Sequence, residues 1–221
     1  MKVGTDANIL SVWCDLKDIN SVLDIGTGSG VIAMVLASRS DVNIDAIEID
    51  EASVSEARQN FTNSPYLDRL SIVQGDFKEF SLSNQSKYDL AISNPPFFSN
   101  FPLSNKKESR NKARHTINLN HDQLLEGVVK VLKPNGRFVL VLPYDIHKGV
   151  INKANQLGMQ LWRQLLIYPK PDSMPNRINM EFRFGLPYKI KSDDFYVRTE
   201  EGYFTKQYKE FFREHLTDFL F

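Results

Sequence analysis

Four consecutive residues, Asn94-Pro95-Pro96-Phe97, have the side chains needed to hold a planar amine. They follow an apolar run, residues 88–93, that predicts a buried strand. The Asn94 amide oxygen and the Pro95 carbonyl can both accept hydrogen bonds from one NH2 group. Two prolines fix φ and hold these acceptors still, and the Phe97 ring offers a face for a flat substrate. A turn that simply ends a strand is the alternative, because Asn-Pro and Pro-Pro are frequent in loops.

A glycine-rich turn lies upstream, in Asp24-Ile25-Gly26-Thr27-Gly28-Ser29-Gly30. Glycines let the backbone turn tightly and let a ligand approach it closely. The spacing is G-x-G-x-G, whereas a dinucleotide fingerprint reads G-x-G-x-x-G, and no Gly-Lys-Ser/Thr follows as in a phosphate-binding loop. The acid before the turn, Asp24, favours a ligand that carries an amine. An ordinary strand-to-helix connection and a nicotinamide dehydrogenase are the alternatives.

Acidic residues also end the next two predicted strands. Glu48 lies at the end of the second strand and can accept hydrogen bonds from both hydroxyls of a ribose. Asp76 follows the third strand and can accept a hydrogen bond from an adenine amino group. An amine, a ribose and an adenine together describe S-adenosyl-L-methionine, which is the predicted cofactor.

Strand and helix patterns alternate along the chain, which predicts an α/β fold with a doubly wound, mostly parallel sheet. The late strands have no helix between them and predict an antiparallel pair at the sheet edge, while the tail, 204–221, predicts a short amphipathic helix. Ligands bind such sheets at the carboxyl ends of strands. Strands are predicted at 22–25, 44–49, 70–73, 88–93, 137–142, 161–168 and 180–186, and helices at 31–37, 51–60, 122–132 and 145–156.

The acid-glycine turn, Glu48, Asp76 and the tetrapeptide, in this order, resemble the class I methyltransferases that modify exocyclic or amide nitrogen. Three further segments resemble the bacterial tRNA(Val) adenine-N6 methyltransferase family: Val3-Gly4-Thr5-Asp6-Ala7, Ser64-Pro65-Tyr66 and Ala113-Arg114-His115-Thr116. Members of that family methylate the adenosine just 3′ of the anticodon. The resemblance covers residues 3 to about 184. One departure is Phe97, where the family often has Tyr; Phe keeps the stacking face.

The resemblance implies a Rossmann-like class I methyltransferase fold with a seven-stranded sheet, in one domain over residues 1–221. It implies that residues 1–20 cover the cofactor and substrate and that tRNA is the partner. The implied catalytic residues are Asn94, Pro95, Pro96 and Phe97. The implied cofactor-binding residues are Thr5, Asp6, Asp24, Gly26, Thr27, Gly28, Gly30, Glu48, Ile49, Asp76, Phe77 and Asn94.

A long basic loop, 98–118, directly follows the tetrapeptide and predicts contacts with RNA phosphates. A solvated surface loop is the alternative. The charge of the whole chain is +0, but residues 1–90 hold 7 Lys and Arg against 14 Asp and Glu, and residues 91–221 hold 20 against 13. We expect Arg163, Lys170 and Arg177 to extend the basic surface. The candidate RNA-binding residues in the loop are Lys106, Lys107, Arg110, Lys112, Arg114 and His115.

The composition is typical of a globular domain and argues against disulfide-bonded, zinc-binding and membrane-spanning proteins. The 221 residues are 42% hydrophobic and 24% charged, as in a globular domain. A single cysteine, Cys14, excludes an intramolecular disulfide and a cysteine-based zinc site, and we expect it to be buried. No metal is expected. No apolar run approaches a membrane span and the first residues do not resemble a signal peptide, so a cytoplasmic protein without a membrane segment is expected, as a monomer.

Other enzymes need the same amine-binding residues. A guanine-N2 methyltransferase of ribosomal RNA is one alternative. A protein glutamine-N5 methyltransferase is another, although such enzymes normally have an N-terminal helical domain, and only about 20 residues precede the first predicted strand here. A DNA adenine methyltransferase would need a target-recognition domain. A non-catalytic RNA-binding protein on the same fold is the alternative outside catalysis.

Overall fold

The computed structural model describes residues 4–95 and 119–213 of the chain. In these residues, strands and helices alternate as the sequence predicts. The strands are β1 (Ser21–Ile25), β2 (Asn43–Glu48), β3 (Leu70–Gln74), β4 (Tyr88–Ser93), β5 (Leu132–Pro143), β6 (Met159–Tyr168), β7 (Arg177–Phe184) and β8 (Lys191–Tyr196). The helices are α1 (Thr5–Trp13), α2 (Val31–Arg39), α3 (Glu51–Asn63), α4 (Phe77–Ser83), α5 (His121–Val131), α6 (His147–Gln156) and α7 (Lys206–Arg213).

The strands form one sheet in the order β3-β2-β1-β4-β5-β7-β6-β8. The first five strands in this order are parallel to one another. β7 runs antiparallel to both β5 and β6, and β8 is parallel to β6. Chain order reverses between β1 and β4, so the carboxyl ends of these two strands lie side by side, with Ile25 opposite Ser93. This reversal is where open α/β sheets bind ligands.

Helices cover both faces of the sheet because its central strands are apolar on both faces. On one face, Val22, Ile92 and Val141 pack against α1, α2 and α3. On the other face, the alternate residues Leu23 and Leu140 pack against α4, α5 and α6. Asn94 and Pro95 directly follow β4, and the glycine turn directly follows β1, so both are attached to central strands of the sheet. Within the described ranges, no helix is both long and apolar enough to span a bilayer.

The structure confirms the predicted doubly wound α/β class and adds three elements to the prediction. An eighth strand, β8, pairs with the outer side of β6, so the antiparallel pair β6 and β7 is not at the edge of the sheet as predicted. β8 was missed because Phe195 is its one buried residue. Two short helices, α1 and α4, were also not predicted. The predicted tail helix is confirmed as α7, and residues 214–221 lie outside the described residues.

Arginines fix the carboxyl end of α1 to the sheet. Arg163 donates to the Trp13 carbonyl at 2.7 Å, and its guanidinium lies 4.2 Å from the centroid of the Trp13 ring. The same side chain pairs at 2.7 Å with Glu181, whose other carboxylate oxygen accepts a 2.6 Å hydrogen bond from Arg183 Nε. Glu181 is completely buried. Arg163 thus takes part in a structural ion pair, and its part in a basic RNA surface stays a prediction.

Candidate active site

The glycine turn joins β1 to α2 with a backbone that other residues rarely adopt. Gly26, Gly28 and Gly30 all have positive φ, at 69°, 58° and 86°. A Cβ at Gly26 would meet nothing within 4 Å, whereas one at Gly30 would lie 2.4 Å from Cε1 of Phe61. Gly26 therefore leaves the turn open to a ligand. Gly30 instead allows α2 to begin tightly against α3.

Asp24 lies beneath this turn and is fully buried. Its Oδ2 accepts a 2.6 Å hydrogen bond from the Thr27 hydroxyl, while Oδ1 has no hydrogen-bond partner of normal geometry in the described residues. Burial raises the pKa of Asp24 to about 7, against the lowering effect of the Thr27 hydrogen bond and the nearby Ala33 N–H. A buried carboxylate with an unused oxygen suits a cationic ligand group bound above it.

Glu48, at the end of β2, faces the glycine turn directly. Its Oε2 accepts a 3.0 Å hydrogen bond from Gly28 N, and its Oε1 accepts from Ile49 N at 2.8 Å and Asp50 N at 3.0 Å. These backbone donors fix the carboxylate at the edge of the turn, where the side chain is partly exposed. Ile49 is the next residue and has an exposed fraction of 39%, which is unusual for isoleucine and leaves an apolar surface for a flat ring.

Asp76 and Phe77 follow β3 at the start of α4. Asp76 is the N-cap of this helix, with Oδ1 accepting from Lys78 N at 2.8 Å and Oδ2 at 3.2 Å from Lys78 Nζ. The Phe77 ring is turned into the core against Gly127. Phe77 can therefore reach a ligand only through its backbone. Asp76 keeps a partly exposed carboxylate.

Asn94 and Pro95 directly follow β4, beside the turn that carries Asp24. The Asn94 side chain is partly exposed and Pro95 is buried. The structure therefore brings the predicted amine-binding residues, Asn94 and Pro95, to the same edge as the glycine turn and Glu48. Pro96, Phe97 and the whole basic loop, with Lys106, Lys107, Arg110, Lys112, Arg114 and His115, lie outside the described residues.

The first turn of α1 also reaches this edge. Arg177, the first residue of β7, donates from Nε to Oδ2 of Asp6 at 2.8 Å. The pair ties α1 to the sheet at the strand ends, where Thr5 is exposed. Sequence reasoning did not foresee the partner of Asp6.

Tyrosines at three strand ends were also not singled out. Tyr144 follows β5, Tyr168 ends β6 and Tyr196 ends β8, all on the edge that carries Asn94. The signal in the sequence was their position directly after apolar runs. The described residues contain no group of three or more His, Cys, Asp or Glu side chains placed to hold a metal ion.

Comparison with known proteins identifies the family to which this geometry belongs. Residues 16–180 match a family described as "Methyltransferase domain". A protein of Bacteroides thetaiotaomicron named tRNA1(Val) (adenine(37)-N6)-methyltransferase is 37% identical over 217 residues, covering 97% of this chain and 90% of the relative. A protein of Serratia proteamaculans with the same name is 34% identical over 221 residues, 99% of this chain and 83% of the relative. This chain belongs to the tRNA1(Val) (adenine(37)-N6)-methyltransferase family.

Membership in this methyltransferase family confirms the resemblance, the enzyme class and the predicted cofactor, S-adenosyl-L-methionine. The solved structure of a predicted O-methyltransferase from Agrobacterium tumefaciens has a TM-score of 0.74 over 96% of this chain and 97% of its own, at 15% identity. At 15% identity, this structural similarity supports the fold of the chain and not its function. The buried Asp24, the open turn at Gly26 and the carboxylate of Glu48 are chemically suited to the amine and ribose of this cofactor.

Proposed function

We propose that this enzyme transfers a methyl group to N6 of adenosine 37 in tRNA1(Val), the reaction for which its relatives are named. The observation that carries the proposal is the position of Asn94. It directly follows β4, which pairs with β1, and the turn after β1 forms the candidate cofactor site. An amine held at Asn94 would thus lie next to a methyl donor bound at the glycine turn. A tRNA substrate also favours a cytoplasmic location.

The proposed chemistry depends mainly on positioning. The lone pair of adenine N6 is delocalised into the ring, so the amine is a weak nucleophile. The Asn94 side-chain oxygen and the Pro95 carbonyl accept its two hydrogens and favour the positive charge that develops during attack. Pro96 restricts the backbone, and Phe97 stacks on the base once it has left the helix stack. S-adenosyl-L-methionine, when bound, supplies the electrophilic methyl group.

No general base is required by this scheme, because the methylated ammonium is acidic enough to lose its proton to water. His115 is assigned to the basic loop and not to a general base. In that loop, Lys106, Lys107, Arg110, Lys112 and Arg114 are proposed to contact RNA phosphates around the target base.

The cofactor residues follow from the geometry above. Asp24 complements the cofactor amine from below the turn, while Gly26, Thr27, Gly28 and Gly30 provide the close backbone approach. Glu48 binds the ribose hydroxyls. The adenine lies against Ile49, near the Asp76 carboxylate and the Phe77 backbone. Thr5 and Asp6, in the first turn of α1, cover the site from the N-terminal side.

Methylation of bulk unmodified tRNA with radiolabelled S-adenosyl-L-methionine, followed by nucleoside chromatography, tests this proposal. Label in N6-methyladenosine is the expected result. Label in N2-methylguanosine would contradict the adenine assignment and support the guanine alternative. Cofactor binding without label in any nucleoside would overturn the RNA substrate, and glutamine-containing protein substrates would then be assayed.

A further inference from the structure

Three strands that run in the same direction each end on a tyrosine at the edge of the sheet that carries Asn94. β5 is followed by Tyr144, β6 ends at Tyr168 and β8 ends at Tyr196. Since β7 is antiparallel to both β5 and β6, these three strands have their carboxyl ends on the same edge. The aromatic residues therefore continue the row of strand ends that begins at the glycine turn and passes through Asn94.

The rings form two stacked pairs. Tyr168 and Tyr196 are register partners, with centroids 4.8 Å apart and ring planes 20° apart. Tyr144 stacks on His147, the first residue of α6, with centroids 4.5 Å apart and planes 25° apart. All four side chains are partly exposed. Burial and then the charge of Asp194 raise the pKa of Tyr168, with a smaller effect from Tyr144, so this phenol stays neutral at physiological pH.

The two pairs lie on the same face of the sheet. Leu166, two residues before Tyr168 in β6, packs in the cluster formed with α4, α5 and α6, and Tyr144 packs against the same cluster. Because side chains alternate along a strand, Tyr168 and its partner Tyr196 project to that face too. We call Tyr144, His147, Tyr168 and Tyr196 the aromatic edge.

Charged residues around the aromatic edge are of both signs. Three exposed basic residues lie near it: Lys148, Lys170 and Arg198. The Nζ atom of Lys170 lies 3.7 Å from Oε2 of Glu200. Asp145 and Asp194 are exposed as well. A surface that bound only phosphates would be more uniformly basic. Partly exposed rings instead suit unpaired bases, because every base has a flat face that can stack on a ring whatever the sequence.

We infer that the aromatic edge binds the unpaired nucleotides that flank the target adenosine by stacking on their bases. The inference rests on the proposed function, because it needs a single-stranded RNA segment whose target base is held at Asn94. The residues at the strand ends then fall into two groups with different roles. The glycine turn, Glu48 and Asn94 hold the reacting groups, and the tyrosines hold the RNA strand next to them.

The same tyrosines also have a structural use, which a test must separate from RNA binding. A stacked cross-strand pair stabilises the attachment of β8 to β6. Leucine at both positions keeps an apolar side chain on the sheet and removes the ring faces. Phenylalanine keeps the ring faces and removes only the hydroxyls. Tyr188, fully exposed between β7 and β8 at the opposite edge, provides a matched control.

The experiment measures the affinity of the whole enzyme for an unmodified anticodon stem-loop RNA at several salt concentrations. We expect at least about tenfold weaker binding for the Tyr168→Leu/Tyr196→Leu variant, because each lost base contact is worth about tenfold or more. The dependence of affinity on salt should not change, because no cation is removed. KM for RNA should rise with kcat nearly unchanged. Tyr168→Phe/Tyr196→Phe and Tyr188→Leu should bind as the wild type does.

Unchanged RNA affinity in the leucine variant, with normal unfolding and normal cofactor affinity, would overturn the inference. If that variant does not fold, ultraviolet cross-linking of the wild-type enzyme to a 4-thiouridine-substituted stem-loop decides the question. Cross-links at the aromatic edge support the inference, and cross-links only elsewhere contradict it. Failure of the proposed function is separate, since it would appear as wild-type enzyme that forms no N6-methyladenosine.

Discussion

Asn94 is the residue on which the proposed chemistry depends most. It is partly exposed at the end of β4, and the neighbouring strand β1 carries the glycine turn. Because Asn94 directly follows β4, it lies at the carboxyl ends of the parallel strands β1 and β4. Transition-state contacts of this kind are worth much more to turnover than to ligand affinity.

Replacing Asn94 with Ala should lower kcat by on the order of 100-fold or more, because a positioned acceptor for the charged amine is lost. Cofactor affinity should change little, because the cofactor turn is not altered. Steady-state kinetics and calorimetric titration with S-adenosyl-L-methionine measure the two quantities. Asn63→Ala, at the exposed end of α3, is the control. A fully active Asn94→Ala enzyme would show that the amine-binding assignment is wrong.

Asp24 should make the stability of the ligand-free protein depend on pH. Burial raises its folded-state pKa from 3.8 to about 7. Between these two values the folded state holds a proton that the unfolded state has released, so this group lowers the free energy of unfolding as pH rises from about 4 to 7. Urea unfolding across that range should therefore show a smaller decline for Asp24→Asn than for the wild type. Parallel curves for the two proteins would contradict the raised pKa.

For single residues, the sequence predicts the roles that depend on where the residue lies in its own strand or turn. Asp24, Glu48 and Asn94 could be placed together because each lies at or directly after the carboxyl end of a predicted strand, and carboxyl ends of parallel strands share one edge. The burial of the Phe77 ring against Gly127 could not be assigned, because it depends on how α4 meets α5. The Asp6–Arg177 pair joins residues 171 positions apart and has no local signal.

At the scale of helices and strands, the attachment of α1 to β6 and β7 depends on one buried carboxylate, Glu181. Glu181 projects from β7 with both oxygens in ion pairs, to Arg163 and Arg183, and Arg163 in turn holds the Trp13 carbonyl at the end of α1. A buried charge left without its partner costs far more free energy than an exposed one. The attachment of α1 is therefore sensitive to a single side chain.

Glu181→Gln should lower the free energy of unfolding by about 3–5 kcal/mol, because it leaves two partly buried guanidinium groups without a counter-charge. Glu210→Gln, which breaks the exposed Lys206–Glu210 pair, should cost less than about 1 kcal/mol. Urea denaturation of both variants measures the difference. Equal losses would show that the buried network contributes no more than a surface pair.

Elements with a clear apolar pattern could be predicted from sequence, and β4 has the predicted bounds, Tyr88–Ser93. β8 could not, because its sequence KSDDFY buries only Phe195, and its place is set by pairing with β6. β5 begins at Leu132, five residues before the prediction, because Leu132 pairs with Tyr88 ahead of the Pro-Asn-Gly segment. Strand ends thus follow tertiary pairing where local pattern is weak.

For the molecule as a whole, charge is divided unevenly between the two parts of the chain. Residues 91–221 carry the excess of Lys and Arg, and six of the basic or imidazole side chains lie in the loop that follows Asn94. Phosphate contacts by such residues release counterions, which makes binding weaken steeply with salt. The aromatic edge should not contribute to this dependence.

Charge reversal at Arg110 and Arg114 together should weaken tRNA binding and reduce the steepness of its salt dependence by about one unit per lost phosphate contact. Reversal of Lys206 and Lys209 together, two exposed residues of α7, changes the net charge by the same amount and is the control. Filter binding from low to moderate salt measures both slopes. An unchanged slope in the Arg110/Arg114 variant would leave the loop as solvated surface.

Methylation of an unmodified tRNA1(Val) transcript, with either adenosine or guanosine at position 37, is the most direct test of the proposed reaction. We predict about one methyl group per adenosine-37 transcript, recovered as N6-methyladenosine, and none with guanosine 37. Equal incorporation into both transcripts, or label in another nucleoside, would contradict the account.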